Sequence, residues 1–342
     1  MIALDAMGGD LAPAATVEGA LRAHRERGLD VLLVGDGQRL EAELRRNGSS
    51  SAELRIHHAS EVVEMAEHPG QALRRKKDSS IRVCFDLVAG GECIGMVSAG
   101  NSGAVLAGAL FVLGRLDHVD RPCIGGSLPT LKGAGRAVLV DMGANVDCTP
   151  LQLVQFALMG EVYAREILGV SHPRVGLVAN GEEEGKGTDL TRAAAAALRQ
   201  PHSGVSFGGY VEGKDVFSGD FDVIATDGFT GNVLLKTAEG AVWAFGQLLK
   251  RQIQSSPVAS AGALLMKSQL EQVKRRVDYE EVGGAPLLGV RGVAMIAHGR
   301  STHRAILNAL SGAAAFAQEH VQEHLSAAAR RGEELLAQRA AS

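Results

Sequence analysis

Ile94-Gly-Met-Val-Ser-Ala-Gly-Asn-Ser-Gly-Ala104 decides the fold class of this chain. A short apolar run, Ile94–Val97, stops at Ser98-Ala-Gly-Asn-Ser-Gly, and an apolar stretch follows at once. Four apolar residues bounded by a Gly/Ser/Asn cluster read as a buried strand and its turn, and the longer stretch after them reads as a helix. Small residues at that junction expose backbone N–H groups at a helix N-terminus, a ready anion site. A close-packed turn is the plainer alternative, although Asn101 and Ser102 carry side-chain donors that call for partners.

The same punctuation recurs outward in both directions. Ile2–Ala6, Val31–Val34, Leu54–His57, Cys123–Leu128, Ala137–Val140, Val175–Ala179, Val205–Gly208, Val223–Ala225 and Val293–Ala297 are strand-like runs, most with helical stretches between them. Strands alternating with helices predict one three-layer α/β/α unit with a mainly parallel sheet, split by a cleft. Two segments depart from the alternation. Residues 237–277 are helical on both sides of a hinge at Ser255–Ala261, with Met266, Leu270, Val273 and Val277 on one apolar face and Lys267, Lys274, Arg275 and Arg276 beside it. From Ser311 an Ala-rich stretch reads as a long terminal helix with a frayed end.

Composition limits what such a chain does. The 342 residues are 46% apolar but only 4% aromatic, with 43 glycines, so the core is built of Ala, Val, Leu and Ile around many tight turns. A net charge of −4 gives no dominant basic face and argues against a dedicated nucleic-acid binder, while leaving room for a local basic patch. Cys84, Cys93, Cys123 and Cys148 form no C-x-x-C pair, which suits a reducing cytoplasm. The chain opens on a strand-like Met1-Ile-Ala-Leu-Asp without a leader pattern, and its longest run lacking a polar residue, Gly103 to Gly114, is too short to span a bilayer.

In open α/β sheets ligands sit beyond the carboxyl ends of strands, where this chain keeps its polar residues. Gly8 and Gly9 let backbone approach a ligand, and Asp10 is placed to cap the next helix. Arg74-Arg-Lys-Lys-Asp-Ser-Ser80 is either a solvated charge run or a landing place for an anion. Asp141-Met-Gly-Ala-Asn145 reads equally as a ligand turn and a structural Asp-turn. Lys186, between glycines in Asn180–Gly187, suits a phosphate or a developing oxyanion. Asp227 ends a strand, Gly228 and Gly231 tighten the backbone, and Asn232 opens a helix as a cap or an amide donor. His298 follows a strand and is within reach of a cleft, although a lone His is more often structural. Nucleotide-loop, nucleophile-elbow and metal-ligand signatures are missing; His57 and His58 are adjacent in a strand and point to opposite faces.

Taken in order, DAMGGD at Asp5–Asp10, KKDSS at Lys76–Ser80, SAGNSGA at Ser98–Ala104, DMGAN at Asp141–Asn145, NGEEEGKG at Asn180–Gly187, DGFTGNVLLK at Asp227–Lys236, and GGAPLLGV with HG at Gly283–Gly299 resemble the PlsX-type phosphate acyltransferases of bacterial phospholipid synthesis. The resemblance runs to about Ala313; Ser102 stands where that family commonly shows Thr and keeps the hydroxyl.

It implies a fold similar to the isocitrate and isopropylmalate dehydrogenase scaffold, a homodimer, and a peripheral membrane association of a cytoplasmic enzyme. It also implies acyl-carrier protein and inorganic phosphate as substrates, no cofactor and no metal, and a product passed to a membrane-bound glycerol-3-phosphate acyltransferase. On that reading phosphate binds at Ser98, Asn101, Ser102 and Gly103 with help from Gly8, Gly9 and Asp10. Lys186 and Asn232 are the catalytic donors, and Lys76, Asn145, Asp227, Gly231 and His298 line the substrates. Arg74–Lys77 become a dock for the acidic carrier, and residues 237–277 a dimer or membrane contact. The competing readings are a short-chain phosphate acyltransferase or metal-dependent dehydrogenase on the same scaffold, and a membrane-associated scaffold protein.

Overall fold

A computed structural model describes residues 1–277, 283–317 and 321–341. Its strands are β1 (Ile2–Asp5), β2 (Val31–Gly35), β3 (Arg55–His58), β4 (Gly95–Ser98), β5 (Cys123–Pro129), β6 (Arg136–Val140), β7 (Arg174–Val178), β8 (Ser206–Val211), β9 (Val223–Ala225), β10 (Ala285–Leu288) and β11 (Val293–Ile296). They form a single sheet in the order β3-β2-β1-β4-β11-β10-β5-β6-β9-β7-β8. The ten expected runs are all present, nine of them within two residues at either end; β8 runs three residues past the expected Gly208, to Val211. The sequence reading placed only a loop motif at Gly283–Gly289, where β10 lies; Pro286 and two flanking glycines masked a strand that pairs antiparallel with both β11 and β5.

β10 changes the geometry. The block β3-β2-β1-β4-β11 is parallel throughout, and so is β6-β9-β7-β8. β10 and β5 pair antiparallel with their neighbours, so the second block runs opposite to the first. Strand twist of about 20–25° per step turns β6 by roughly 60–75° against β11 across the three intervening pairings.

Helices cover both faces. Residues of β1 alternate between two cores, as the two-residue period requires. Ile2 and Leu4 join α1 (Ala14–Arg27) and, from the far end of the chain, the helix of His303–Ala317; Ala3 joins the cluster that holds Phe85. After α2 (Gly37–Arg46) come α3 (Pro69–Arg75), α4 (Ser80–Ala89) and α5 (Ser102–Gly108) on that second face, α5 continuing as a π-turn through Leu113. α6 (Pro150–Glu166), opened by a Thr149–Gln152 capping box, is buried over most of its length between the second block and the C-terminal helix of Val321–Ala341. Its Phe156 is fully buried, which contributes about 1.5–3 kcal/mol. α7 (Asp189–Leu198) packs beside α6.

α8 (Gly228–Gln254) is different. Gly228 and Gly231 are its only buried residues, and further along Trp243, Phe245 and Leu248 are each more than 60% exposed. α9 (Pro257–Leu265) folds back on it, and α10 (Lys267–Val277) packs on α9. The segment expected at 237–277 thus begins at Gly228; its first break falls at Ser255–Ser256, because Pro257 is an N1 residue and Ser256 caps the new helix, and a second falls at Met266, between α9 and α10. The Ala-rich C-terminus is carried by α11 (His303–Ala317) and α12 (Val321–Ala341); Leu325, Ala329 and Leu335 of α12 are buried.

Candidate active site

At the first block's carboxyl end, the Ser98 hydroxyl donates to Asp5 Oδ2 at 2.7 Å and accepts the Gly100 N–H at 3.0 Å. Both side chains are buried, and burial pushes the Asp5 carboxyl above its usual range against the hydrogen bonds that lower it. A Cβ on Gly8 would lie 2.5 Å from Asp5 Oδ2 and 2.8 Å from the Gly100 nitrogen, so only glycine lets these two turns touch. Gly9 has φ +103°, and the next N–H, of Asp10, donates to Gly299 O at 2.7 Å. The loops after β1, β4 and β11 therefore form one packed floor.

Asn101 caps α5 through Oδ1 and spends its amide on the carbonyls of Glu64, Met65 and Glu67. The Lys76 ammonium is held by Val62 O at 2.7 Å and Glu67 Oε2 at 2.8 Å, which keeps the Glu67 carboxyl below its usual range. These two residues brace the 62–67 loop against the floor. Ser102, by contrast, is exposed at the first turn of α5, with Gly103 half-buried beside it.

In the second block the buried Asp141 carboxylate organises its own turn. Its oxygens accept from the N–H groups of Ile124, Gly143, Ala144 and Asn145 and from the Asn145 amide. That amide also reaches Pro122 O at 2.8 Å. Asp227 caps α8 by binding the N–H and hydroxyl of Thr230. A Cβ on Gly231 would sit 1.9 Å from Asp141 O, so the helix is pressed onto the turn. Asn232 is left exposed, with its amide oxygen 3.7 Å from where a Cβ on Gly143 would stand, and its side chain makes no hydrogen bond among the described residues. Cys148 lies beside this turn, donating to Asn145 O at 3.6 Å; burial pushes its thiol up to about 11, so it is no thiolate near neutrality.

His298, in the loop after β11, feels charges carried by α8 of the second block. Its pKa is lowered, first by burial and then by Lys236, with Arg300 adding to the shift and Glu239 and Asp10 opposing it. Its Nδ1 accepts the Arg300 N–H at 3.2 Å, which assigns the neutral ring's proton to Nε2. Lys236 lies within the Asp227–Lys236 motif, outside the residues that the sequence marks for the site. The signal was available: it stands four residues after Asn232, on the same helix face. Asp5 carries no such signal, because nothing local distinguishes a strand-end Asp that braces a distant turn.

Lys186 is carried by the loop after β7, the neighbour of β9. Asn180 Oδ1 accepts the Gly187 N–H and closes that loop, leaving the Lys186 ammonium 45% exposed with a loose contact to Glu183 at 3.9 Å. The remaining glutamates turn outward: Glu182 pairs with Lys214 and Glu184 with Arg199. Among the described residues, Glu182, Glu212 and Asp215 are the one carboxylate group close enough to share an ion, and Lys214 bridges two of them.

Comparison with known proteins gives a consistent picture. The family model described as "Fatty acid synthesis protein" matches residues 1–324. A phosphate acyltransferase of Anaeromyxobacter sp. (strain Fw109-5) is 56% identical over 98% of this chain and 92% of its own. One from Geobacter sulfurreducens is 51% identical over 94% and 91%. Among solved structures, a phosphotransacetylase from Streptococcus pyogenes superposes with a TM-score of 0.56 at 15% identity, covering 92% of this chain and 93% of that one. A 4-hydroxythreonine-4-phosphate dehydrogenase from Klebsiella pneumoniae gives 0.52 at 18%, covering 93% and 99%. At those identities the likeness is one of fold.

Proposed function

We propose, from the premise that this chain belongs to the fatty acid synthesis protein family, whose curated relatives are phosphate acyltransferases, that it moves a long acyl chain from acyl-carrier protein to inorganic phosphate. The products are acyl-phosphate, for phospholipid synthesis, and free carrier. The observation that carries this reading is the glycine-built floor where the loops after β1, β4 and β11 pack together, with Ser102 open at the start of α5 beside it. Such a place suits a small anion.

A thioester needs no activation by a covalent enzyme intermediate, so the protein's task is positioning and charge stabilisation. Phosphate is held against Ser102 and Gly103 at the opening of α5 and faces Lys236. One phosphate oxygen attacks the thioester carbon, its electron pair forming the new C–O bond. The carbonyl electrons move onto oxygen, where the Asn232 amide and the Lys186 ammonium meet the negative charge. Collapse breaks the C–S bond, and the sulfur leaves as thiolate and takes a proton from solvent or from a neighbouring acid. Neutral His298, with its proton on Nε2, donates a hydrogen bond without adding charge. Ser98, Asn101, Lys76, Asn145, Asp227 and Gly231 act at one remove, by holding the turns. The high pKa of Cys148 supports direct transfer over an acyl-enzyme.

The exposed apolar residues of α8–α10 favour two further roles, contact with a second copy and with a membrane surface. No helix among the described residues is long and apolar enough to cross a membrane.

Release of free thiol from purified palmitoyl-carrier protein, with and without phosphate, tests the reaction. Phosphate-dependent release with a hydroxylamine-reactive product is expected. Release that ignores phosphate, or none from folded protein, overturns the reading.

A further inference from the structure

α5 and its π-turn form a continuous helical run from Ser102 to Leu113, roughly 17 Å at 1.5 Å per residue. The proposed phosphate site lies at one end. At the other end opens a groove of about 520 Å³ lined by Leu110, Phe111, Arg115, Asp120, Arg121 and Gln152. Its character is unusual for this surface. Phe111 is 69% exposed, and the guanidinium of Arg74, from α3, lies over its ring at 5.8 Å. Arg121 is exposed and makes no ion pair or hydrogen bond among the described residues. Arg115 donates to Asp120 O, and Asp120, the one acid in the lining, accepts from the Gln152 amide.

The adjoining cleft differs: there Arg291 pairs with Asp117, and His118 with Glu333. Cations left unpaired around an exposed aromatic ring mark a surface that awaits an acidic partner. The groove is also tied to the chemistry. Pro122, next to Arg121, accepts the Asn145 amide of the Asp141 turn, and Gln152 sits in the first turn of the helix that follows that turn.

We infer that this groove, with Arg74 and Arg121 at its rim and Phe111 at its centre, is where the acidic face of the acyl-carrier protein docks. This rests on the function proposed above. Of the basic run at Arg74–Lys77 it recruits Arg74, whereas Lys76 faces inward to Val62 and Glu67. Its site lies at the C-terminal end of the α5 run, so a carrier thiol arm laid along the helix delivers the thioester to Ser102 and Asn232.

The test compares two substrates on the full chain: palmitoyl-carrier protein and palmitoyl-pantetheine, which has the thioester and no protein. Arg121→Glu and Phe111→Ser are exposed changes that leave the core alone. For each, a rise of about tenfold or more in KM for the carrier substrate is expected, from lost steering and contact. KM for phosphate and turnover on palmitoyl-pantetheine should stay within about twofold of the unaltered protein. Rising salt should erase the difference at Arg121. An unchanged KM for the carrier substrate in both variants overturns the docking site while leaving the reaction intact. A matching loss on palmitoyl-pantetheine, or a changed oligomeric state on gel filtration, overturns it in favour of a structural or self-association role. Absence of phosphate-dependent release by the unaltered protein is the separate failure, that of the function.

Discussion

Ser98 and Asp5 close the first half of the site on each other: one hydroxyl, 2.7 Å from a buried carboxylate, also holds the N–H of Gly100. The strands that bear them are neighbours in the sheet, so the bond locks two strand-end turns into one surface. Removing it with Ser98→Ala leaves a buried carboxyl and a buried N–H short of a partner, at about 1–3 kcal/mol. Urea unfolding should show that loss, together with a higher KM for phosphate.

Asp5 also predicts a pH dependence of known sign. Burial raises its pKa, so the folded chain holds that proton more tightly than the unfolded chain. Its stabilising contribution is full below the unfolded value near 3.9 and is lost as pH rises through the raised folded value. Asp5→Asn cannot ionise. Relative to the unaltered protein, its unfolding midpoint should improve between pH 4 and pH 7.

Two glycines on one helix should respond oppositely. Gly231→Ala pushes a methyl to within 1.9 Å of Asp141 O and must displace α8 from the turn. A clear drop in melting temperature and in turnover is expected, because Asn232 moves with the helix. At Gly240 a Cβ meets nothing within 4 Å, so Gly240→Ala should gain up to about 1 kcal/mol from helix propensity alone.

Asn232 and Lys186 are exposed, so their removal should leave the fold intact and strike the rate. Each change to Ala is expected to lower turnover by ~100- to 1,000-fold if it removes one oxyanion donor. Circular dichroism alongside thiol release separates this from unfolding. Near-normal turnover in either variant would remove that residue from the mechanism.

Much of this arrangement was legible in the chain, for local reasons. Ile94–Val97 and its Gly/Ser turn announce a strand and a helix because hydrophobic period and turn chemistry are read within a few residues. β10 was not, because a strand with Pro286 at its centre between glycines has the composition of a loop; its ladder comes from β11 and β5. Nor does sequence say whether a polar residue faces ligand or braces a neighbour. Asn101, Asn145 and Ser102 all look like donors in one dimension. Only packing reveals that the first two are spent on carbonyls of residues 64–67 and 122 while the third is open. The charge of Lys236, on α8, is felt at His298, in the loop after β11, a relationship with no local signature.

His298 makes a prediction in the acid range. Its lowered pKa keeps the ring neutral at pH 7, and the Arg300 N–H needs Nδ1 unprotonated. Protonation on acidification breaks that bond and adds a cation beside Lys236. Activity should therefore fall below the ordinary histidine range, under about pH 6.5. His298→Gln should flatten this limb of the kcat/KM profile measured from pH 5 to 8, at the cost of a lower plateau. A profile unchanged by the substitution would assign the limb elsewhere.

The last prediction concerns α9. Leu264 is 73% exposed and Leu265 87%, followed by Met266 at 55% and then by α10 with its Lys and Arg residues. Apolar side chains beside cations suit insertion at an anionic lipid surface, where burial and headgroup attraction add. Trp243 and Phe245, far along α8, are the better candidates for contact with a second copy, since a stiff helix offers a broader face than a helix end. The two roles separate by experiment. Leu264→Glu with Leu265→Glu should abolish sedimentation with phosphatidylglycerol vesicles while leaving the gel-filtration position unchanged. Trp243→Glu with Phe245→Glu should do the reverse. If the first pair shifts the oligomer instead, α9 is an interface between copies, and vesicle binding must be sought elsewhere.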